Sequence, residues 1–237
     1  MMHYFTFAGK NSQDFGIRIS GESTYNRPKR KYDEYKVPGR NGTLIIDEDA
    51  FENIPVSYPS YIVEDMPDKI EAFANYISSL PGYQRLEDTY APEVFRLGQY
   101  SSGLDVESSG YMNRHGKFEI SFNCKPQRFL KKGEQVIIFN AAGNMYNETQ
   151  YAAKPLIRVY GSGAGTVGIG SETITISAIS QYVDIDCEIM DAFKGAINCN
   201  ANVSYSDDMI VIPSGSCGVN FTGNISRVEI TPRWWII

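Results

Sequence analysis

The sequence predicts a mainly β protein in two domains, an α+β domain over residues 1–130 with one helix and an all-β sandwich over residues 131–237. Three observations carry that prediction. Aromatic residues reach 13%, with 16 Tyr and 12 Phe beside 21 Gly and 11 Pro, a composition that favours strands and turns. From Lys117 to Lys125 polar and apolar residues alternate without a slip, the period of a strand with one wet face. One stretch alone has clear helical periodicity: Met66, Ile70, Phe73, Ala74 and Ile77 form a single apolar stripe.

The elements follow in order. The N-terminal residues Met1-Met2-His3-Tyr4-Phe5-Thr6-Phe7 alternate like a strand, Gly9 and Asn11-Ser12 mark a turn, and Phe15-Gly16-Ile17-Arg18-Ile19 resumes the pattern. Asn41-Gly42 favours positive φ at both central positions of a type I′ turn, so residues 32–37 and 43–46 are expected to form a hairpin around it. Asp65 is placed to cap the helix, Pro67 suits its first turn, and Pro81-Gly82 closes the way out. Residues 83–111 read as short strands and loops.

In the long alternating strand, Phe118, Ile120, Phe122 and Cys124 form the inner face. Pro126 has no N–H for a ladder, so the strand should stop there or continue only at an edge. Arg128-Phe129-Leu130 and Lys131-Lys132-Gly133 then form the step into the second domain. Beyond it no helix is expected. Strand candidates lie at 136–139, 156–160, 173–177, 182–189, 209–212, 218–222 and 227–234, separated by Gly, Asn, Asp or Ser, as in a β-sandwich.

Charge and composition exclude several functions. A net charge of -6 does not suit DNA or anionic lipid as a partner of the whole chain. The basic run Arg27-Pro28-Lys29-Arg30-Lys31 is followed at once by Asp33 and Glu34 and reads as a solvated strand flank. No apolar run approaches the roughly 20 residues that span a bilayer, and the N-terminus lacks a signal-peptide core. Cys124, Cys187, Cys199 and Cys217 have neither Cys-x-x-Cys spacing nor a nearby His, so buried free thiols are expected rather than zinc or disulfides.

Motifs that tempt a catalytic reading fall short. Gly163-Ala164-Gly165-Thr166-Val167-Gly168 fits a dinucleotide fingerprint, but a β-branched alternating stretch follows instead of a helix. A hairpin connection is expected there. Asp184, Asp186 and Glu188 could bind calcium or form an acid–base pair, yet they alternate with Val183, Ile185 and Cys187 as on any outer strand. Asp47-Glu48-Asp49 reads as an acidic loop. His3 and His115 sit in no nucleophile motif. Trp234 and Trp235 read as packing residues. No catalytic residue, metal ligand or cofactor site is assigned.

The wording of several segments resembles the distal tail protein (Dit) family of long-tailed, non-contractile bacteriophages. The resemblance runs through Phe5-Thr6-Phe7-Ala8-Gly9-Lys10-Asn11-Ser12-Gln13-Asp14-Phe15-Gly16-Ile17, then Val37-Pro38-Gly39-Arg40-Asn41-Gly42-Thr43-Leu44. It continues in Gly82-Tyr83-Gln84-Arg85-Leu86-Glu87-Asp88-Thr89-Tyr90, in Pro92-Glu93-Val94-Phe95-Arg96-Leu97, and in the junction from Gly116 to Phe129. Phe221-Thr222-Gly223-Asn224 and Ile230-Thr231-Pro232-Arg233-Trp234-Trp235 close the series.

The resemblance implies a non-enzymatic structural hub of the virion at the distal end of the tail, assembled in the host cytoplasm. It implies an N-terminal belt domain that forms a hexameric ring and a galectin-like C-terminal sandwich. The implied partners are further copies of the chain, the tail tube protein, a tail-associated or tail fibre protein, and a receptor-binding protein. Arg40, with Asn41 and Gly42 at a projecting hairpin tip, is the candidate for a contact between subunits, and Asp88 and Arg96 are candidates to pair within the first domain. The alternative reading is a carbohydrate-binding module acting on host wall saccharide through the sandwich. A wall hydrolase using Asp184, Asp186 and Glu188 has least support.

Overall fold

The structure, a computed structural model, describes residues 3–20, 26–109, 115–206 and 210–237. The chain separates into two compact units, Met1–Arg128 with Ile237, and Phe129–Ile236.

The first unit comprises β1 (Phe5–Phe7), β2 (Lys10–Asn11), β3 (Arg18–Ile19), β4 (Arg30–Lys36), β5 (Thr43–Phe51), β6 (Ile54–Ile62), α1 (Met66–Ser78), β7 (Gln84–Asp88), β8 (Val94–Tyr100), β9 (Glu107–Ser109) and most of β10 (His115–Leu130). Its main sheet runs β2-β1-β7-β8-β10-β6-β3. β10 pairs antiparallel with β6 from Gly116↔Ile62 to Cys124↔Ile54, so residues facing each other in register share one face. Phe118, Ile120, Phe122 and Cys124 are therefore buried beside Ile54, Val56, Tyr58 and Ile62. The ladder with β6 ends two residues before Pro126, which explains how β10 continues through a residue that cannot donate.

Met66, Phe73 and Ile77 turn the buried stripe of α1 into the same core, where Phe5 meets Phe122 and Phe73 edge-on with centroids at 5.6 and 6.3 Å. Asp65 does stand at the N-cap, but with φ 49° its backbone is left-handed rather than extended, and its side chain accepts no N–H of the first turn. Its carboxylate lies 3.9 Å from Lys69 Nζ instead.

β4 and β5 form the expected hairpin, but the turn is elsewhere. Lys36 pairs with Thr43, leaving residues 37–42 as the connection. The Arg40 N–H donates to Val37 C=O at 3.2 Å, with Pro38 and Gly39 (φ 77°) between them. Pro at the second position and positive φ at the third define a type II turn, which Pro38-Gly39 satisfies at no steric cost. Gly42 has φ 80°, while Asn41 is not in the left-handed region, so no type I′ turn forms.

The second unit is built from β11 (Ile137–Phe139), β12 (Gly143–Asn147), β13 (Leu156–Ile169), β14 (Glu172–Asp186), β15 (Asp191–Lys194), β16 (Ile197–Asn198), β17 (Val203–Tyr205), β18 (Gly215–Thr231) and β19 (Trp235–Ile236). A single ladder runs β11-β18-β13-β14-β15-β16, with β12 on β18 and β17 on β14. The long strands β13, β14 and β18 each serve both halves of the sandwich. Ile157, Val159, Val183, Ile185, Val228 and Ile230 from one half share a core with Val167, Ile169, Ile174, Ile176, Cys217 and Val219 from the other.

The fold-over occurs where the pairing of β13 with β18 shifts register between Tyr160 and Gly165. This corrects the reading of the glycine motif: Gly163 to Gly168 lie inside β13, and the tight turn to β14 follows at Gly170-Ser171. A Cβ on Gly161 would come within 2.4 Å of the Asn224 carbonyl oxygen, and one on Gly165 within 2.6 Å of that of Thr222. The glycines permit two backbones to cross closely. They do not cradle a phosphate.

The candidates at 173–177 and 182–189 thus belong largely to one strand, and those at 218–222 and 227–234 largely to another. Of the 209–212 candidate, Met209 lies outside the described residues and Ile212 makes an isolated bridge with Ala153. Trp234 is 6% exposed in the core, and Trp235 stacks on Tyr151 at 4.3 Å while donating Nε1–H to Ala152 C=O. Both are packing residues, as expected.

Candidate assembly interface

Asp184, Asp186 and Glu188 each have their own cation. Asp184 is only 4% exposed and takes a bidentate pair of bonds from Arg158 at 2.6 and 2.8 Å. Asp186 is held likewise by Arg233 at 2.7 and 2.8 Å, and Glu188 lies 3.8 Å from Lys154. The acidic solvent face expected here is instead a row of ion pairs, and Asp184 is buried. Among the described residues no three His, Cys, Asp or Glu side chains gather as a metal site would require. Burial pushes the Cys124 and Cys187 thiols up to about 12, far from a reactive thiolate. Asp47 and Asp49 belong to β5 rather than a loop, and both engage Arg30, which holds the Asp47 carboxyl below its usual range.

The feature that stands out is the β4–β5 hairpin. It forms a two-stranded sheet of its own, and among the described residues no third strand joins it. Residues opposite each other in an antiparallel pair share a face, so Tyr35 with Leu44 and Asp33 with Ile46 lie on one side. Glu34 with Ile45 and Tyr32 with Asp47 lie on the other. Tyr35, Ile45 and Ile46 are 51%, 60% and 49% exposed, and Tyr32, Val37 and Leu44 are exposed as well.

A lone two-stranded ribbon is marginally stable in water, and one that leaves both faces wet gains little from burial. Here Arg30 fastens its base by donating to Asp47 and Asp49 while its guanidinium lies 5.6 Å over the Phe51 ring. The register shifts at this clamp, and Asp49 takes φ 52°. Arg40, Asn41 and Gly42 are all exposed in the connection at the far end.

The apolar face of this ribbon escaped the sequence reading, which looked to the polar tip. Its signal was present: Leu44-Ile45-Ile46 puts apolar residues on both faces of one strand, and all three are exposed. By contrast, the two ends of the main sheet, β2 and β3, are two residues each and offer little edge for a partner.

Two antiparallel β-rich units, the first carrying α1 and a hairpin that no further strand joins among the described residues and the second a sheet folded over on itself, make up a fold shared with solved phage proteins. The solved SPP1 Dit protein, described as a paradigm of the hub adsorption apparatus of phages infecting Gram-positive bacteria, superposes with a TM-score of 0.75 over 100% of both chains at 12% identity. A chain of the phage P2 baseplate in its activated conformation with Ca superposes at 0.58, covering 97% of each chain at 10% identity. The corresponding structure with Sr gives 0.55 over 96% of this chain and 97% of that one, at 11% identity. The likeness is one of fold. No family model matches the chain, and no curated protein matches it in sequence.

Proposed function

We propose that the chain is a structural hub of a phage tail tip, located in the virion at the distal end of the tail. In this reading copies of the first unit close into a hexameric ring that joins the tail tube protein to a tail-associated or tail fibre protein and to receptor-binding protein. The observation that carries the reading is the superposition on the SPP1 Dit hub over the full length of both chains. The exposed apolar hairpin supports it. A ring of identical subunits needs a heterologous surface that meets a different surface on the next copy, and a projecting ribbon supplies one half of such a contact. Arg40, Asn41 and Gly42 at the ribbon's tip are proposed to reach the neighbouring subunit, with Tyr35, Leu44 and Ile46 covered on assembly.

Native mass spectrometry and electron microscopy of the purified chain, alone and mixed with tube and tail-tip proteins, test the proposal. Rings are expected, and Leu44→Ser with Ile46→Ser is expected to abolish them while leaving the melting temperature nearly unchanged. A chain that stays monomeric in every mixture would refute the hub reading.

A second reading, saccharide binding through the sandwich, draws on one feature. Lys132, Gln135, Ile137, Tyr146, Glu148, Thr149 and Trp234 line a cavity of about 200 Å³. Tyr146 is 66% exposed and could stack on a sugar ring, whereas the Trp234 ring is spent on the core. Titration with host wall polysaccharide should give binding that Tyr146→Ala removes; absence of binding at millimolar saccharide retires the idea.

A further inference from the structure

The first unit contains a second feature that its assembly does not explain. Three arginines, Arg27, Arg96 and Arg128, line one pocket together with Val56, Tyr58, Leu86, Asp88, Tyr90, Ala91, Val94 and Phe95. Among the described residues Asp88 is the sole carboxylate in that lining, and its acceptor capacity is largely taken up. Its Oδ2 accepts from Tyr58 O–H at 2.8 Å, and its Oδ1 accepts from the N–H groups of Tyr90 and Ala91 at 2.9 and 3.0 Å. The Asp88–Arg96 pair anticipated from the sequence is not made: the two side chains line the same pocket, but no ion pair joins them among the described residues.

Charge and hydrogen bonding are therefore both out of balance. Leaving Arg27 aside, Arg96 and Arg128 bring two positive charges against the one negative charge of Asp88 among the described lining residues. Arg96 Nη1 and Arg128 Nε are shut away from solvent and have no hydrogen-bond partner among the described residues. A buried guanidinium N–H without an acceptor is costly, and burying like charges together adds to the cost. Burial, together with the nearby Arg96 and Arg27, depresses the affinity of Arg128 for its proton. Every one of these penalties falls if an oxyanion enters.

We propose that this pocket is an oxyanion site, in which Arg96 and Arg128 donate to a carboxylate or phosphate-type group. Guanidinium forks match such groups in shape and charge. Size narrows the choice. The cavity holds about 50 Å³, whereas a single water needs roughly 10–15 Å³ by the same kind of measure. That admits a head group of a few atoms and excludes a nucleotide. The oxyanion has two possible sources, a free inorganic ion or an acidic side chain of another protein chain, and the two are separable by experiment.

Isothermal titration of the full-length chain with inorganic phosphate and with acetate, at ionic strength held constant with chloride, provides the test. Saturable binding is expected, distinguishable from the unsaturable stabilisation that kosmotropic salts give any protein. Arg96→Gln and Arg128→Gln should each weaken it about tenfold or more, the equivalent of one charged hydrogen bond. Circular dichroism shows which variant is folded, and either one alone suffices. Phosphate binding that persists after mixing with tube and tail-tip proteins assigns the site to a free ion. Binding that the free chain shows and the assembly loses assigns it to an acidic side chain of a neighbour. No saturable binding of either anion, or binding unaltered in a folded variant, overturns the proposal and leaves a pocket of water. The measurement on the free chain stands whether or not rings form.

Discussion

Arg233 shows how one residue secures the closing segment of the second unit. Its backbone takes the left-handed region at φ 58°, which a non-glycine residue adopts only when something compensates. Its N–H donates to Gly133 C=O at 2.8 Å, and its guanidinium grips both oxygens of Asp186. Burial alone would raise the Asp186 carboxyl, but the Arg233 bonds and the Glu188 N–H outweigh it and hold the group below its ordinary value. A carboxyl depressed in the folded state stabilises the protein above its unfolded pKa, near 3.9, and that contribution vanishes as pH falls through the folded value. Arg233→Met, which keeps the length of the chain, should cost about 1–2 kcal/mol at pH 7, at the low end because the pair is partly solvated. Denaturant titrations at several pH values should show the gap to wild type closing below about pH 4.

At the scale of elements, the glycines of β13 decide whether the sheet can fold over. Gly161 and Gly165 face the carbonyls of Asn224 and Thr222, and a Cβ on Gly223, at φ 76°, would come within 2.6 Å of that of Ala164. A side chain there pushes β13 and β18 apart where their register shifts. Gly161→Val is expected to destabilise the sandwich by about 1–3 kcal/mol or prevent its folding, read as a lower denaturation midpoint. The same change at Gly218, outside the left-handed region and where a Cβ meets only Asn144 Oδ1 at 3.6 Å, an ordinary contact, should cost far less. These elements also mark what the sequence could and could not disclose. The alternation from Phe118 to Cys124 is a local pattern with one physical meaning, so the strand and its buried face were legible. So was the helix stripe, because Phe73 and Ile77 repeat at a period that no strand shares. The bend in β13 was not legible, since glycines that ease a backbone crossing look the same in one dimension as glycines that make a turn. The hairpin turn was misplaced because Asn41-Gly42 and Pro38-Gly39 both satisfy turn chemistry, and strand register chose between them. The oxyanion pocket was hidden for a different reason: Arg27, Arg96 and Arg128 come from three distant segments and meet only in the fold.

The whole molecule carries two separate cores, one of Phe5, Phe73, Ile120 and Phe122 and another of Ile157, Val159, Ile174 and Val228. In the second unit, the returning end of the chain pairs with its beginning, since the Leu130 N–H donates to Trp234 C=O at 2.8 Å and Arg233 to Gly133. A domain with its own core and with both ends tied together has what it needs to fold alone. Residues 129–236 expressed by themselves should therefore give a cooperative melt and well-dispersed amide resonances, and the full chain should show two calorimetric transitions rather than one. A fragment that binds hydrophobic dye and melts without cooperativity would show instead that the sandwich borrows stability from the first unit. The hub reading makes this separation useful. When the first unit is fixed in a ring, mass action raises its transition in proportion to assembly, while the transition of the second stays where the isolated fragment places it. Calorimetry of assembled protein beside the Leu44→Ser, Ile46→Ser variant reads this directly: only the transition absent from the fragment should shift.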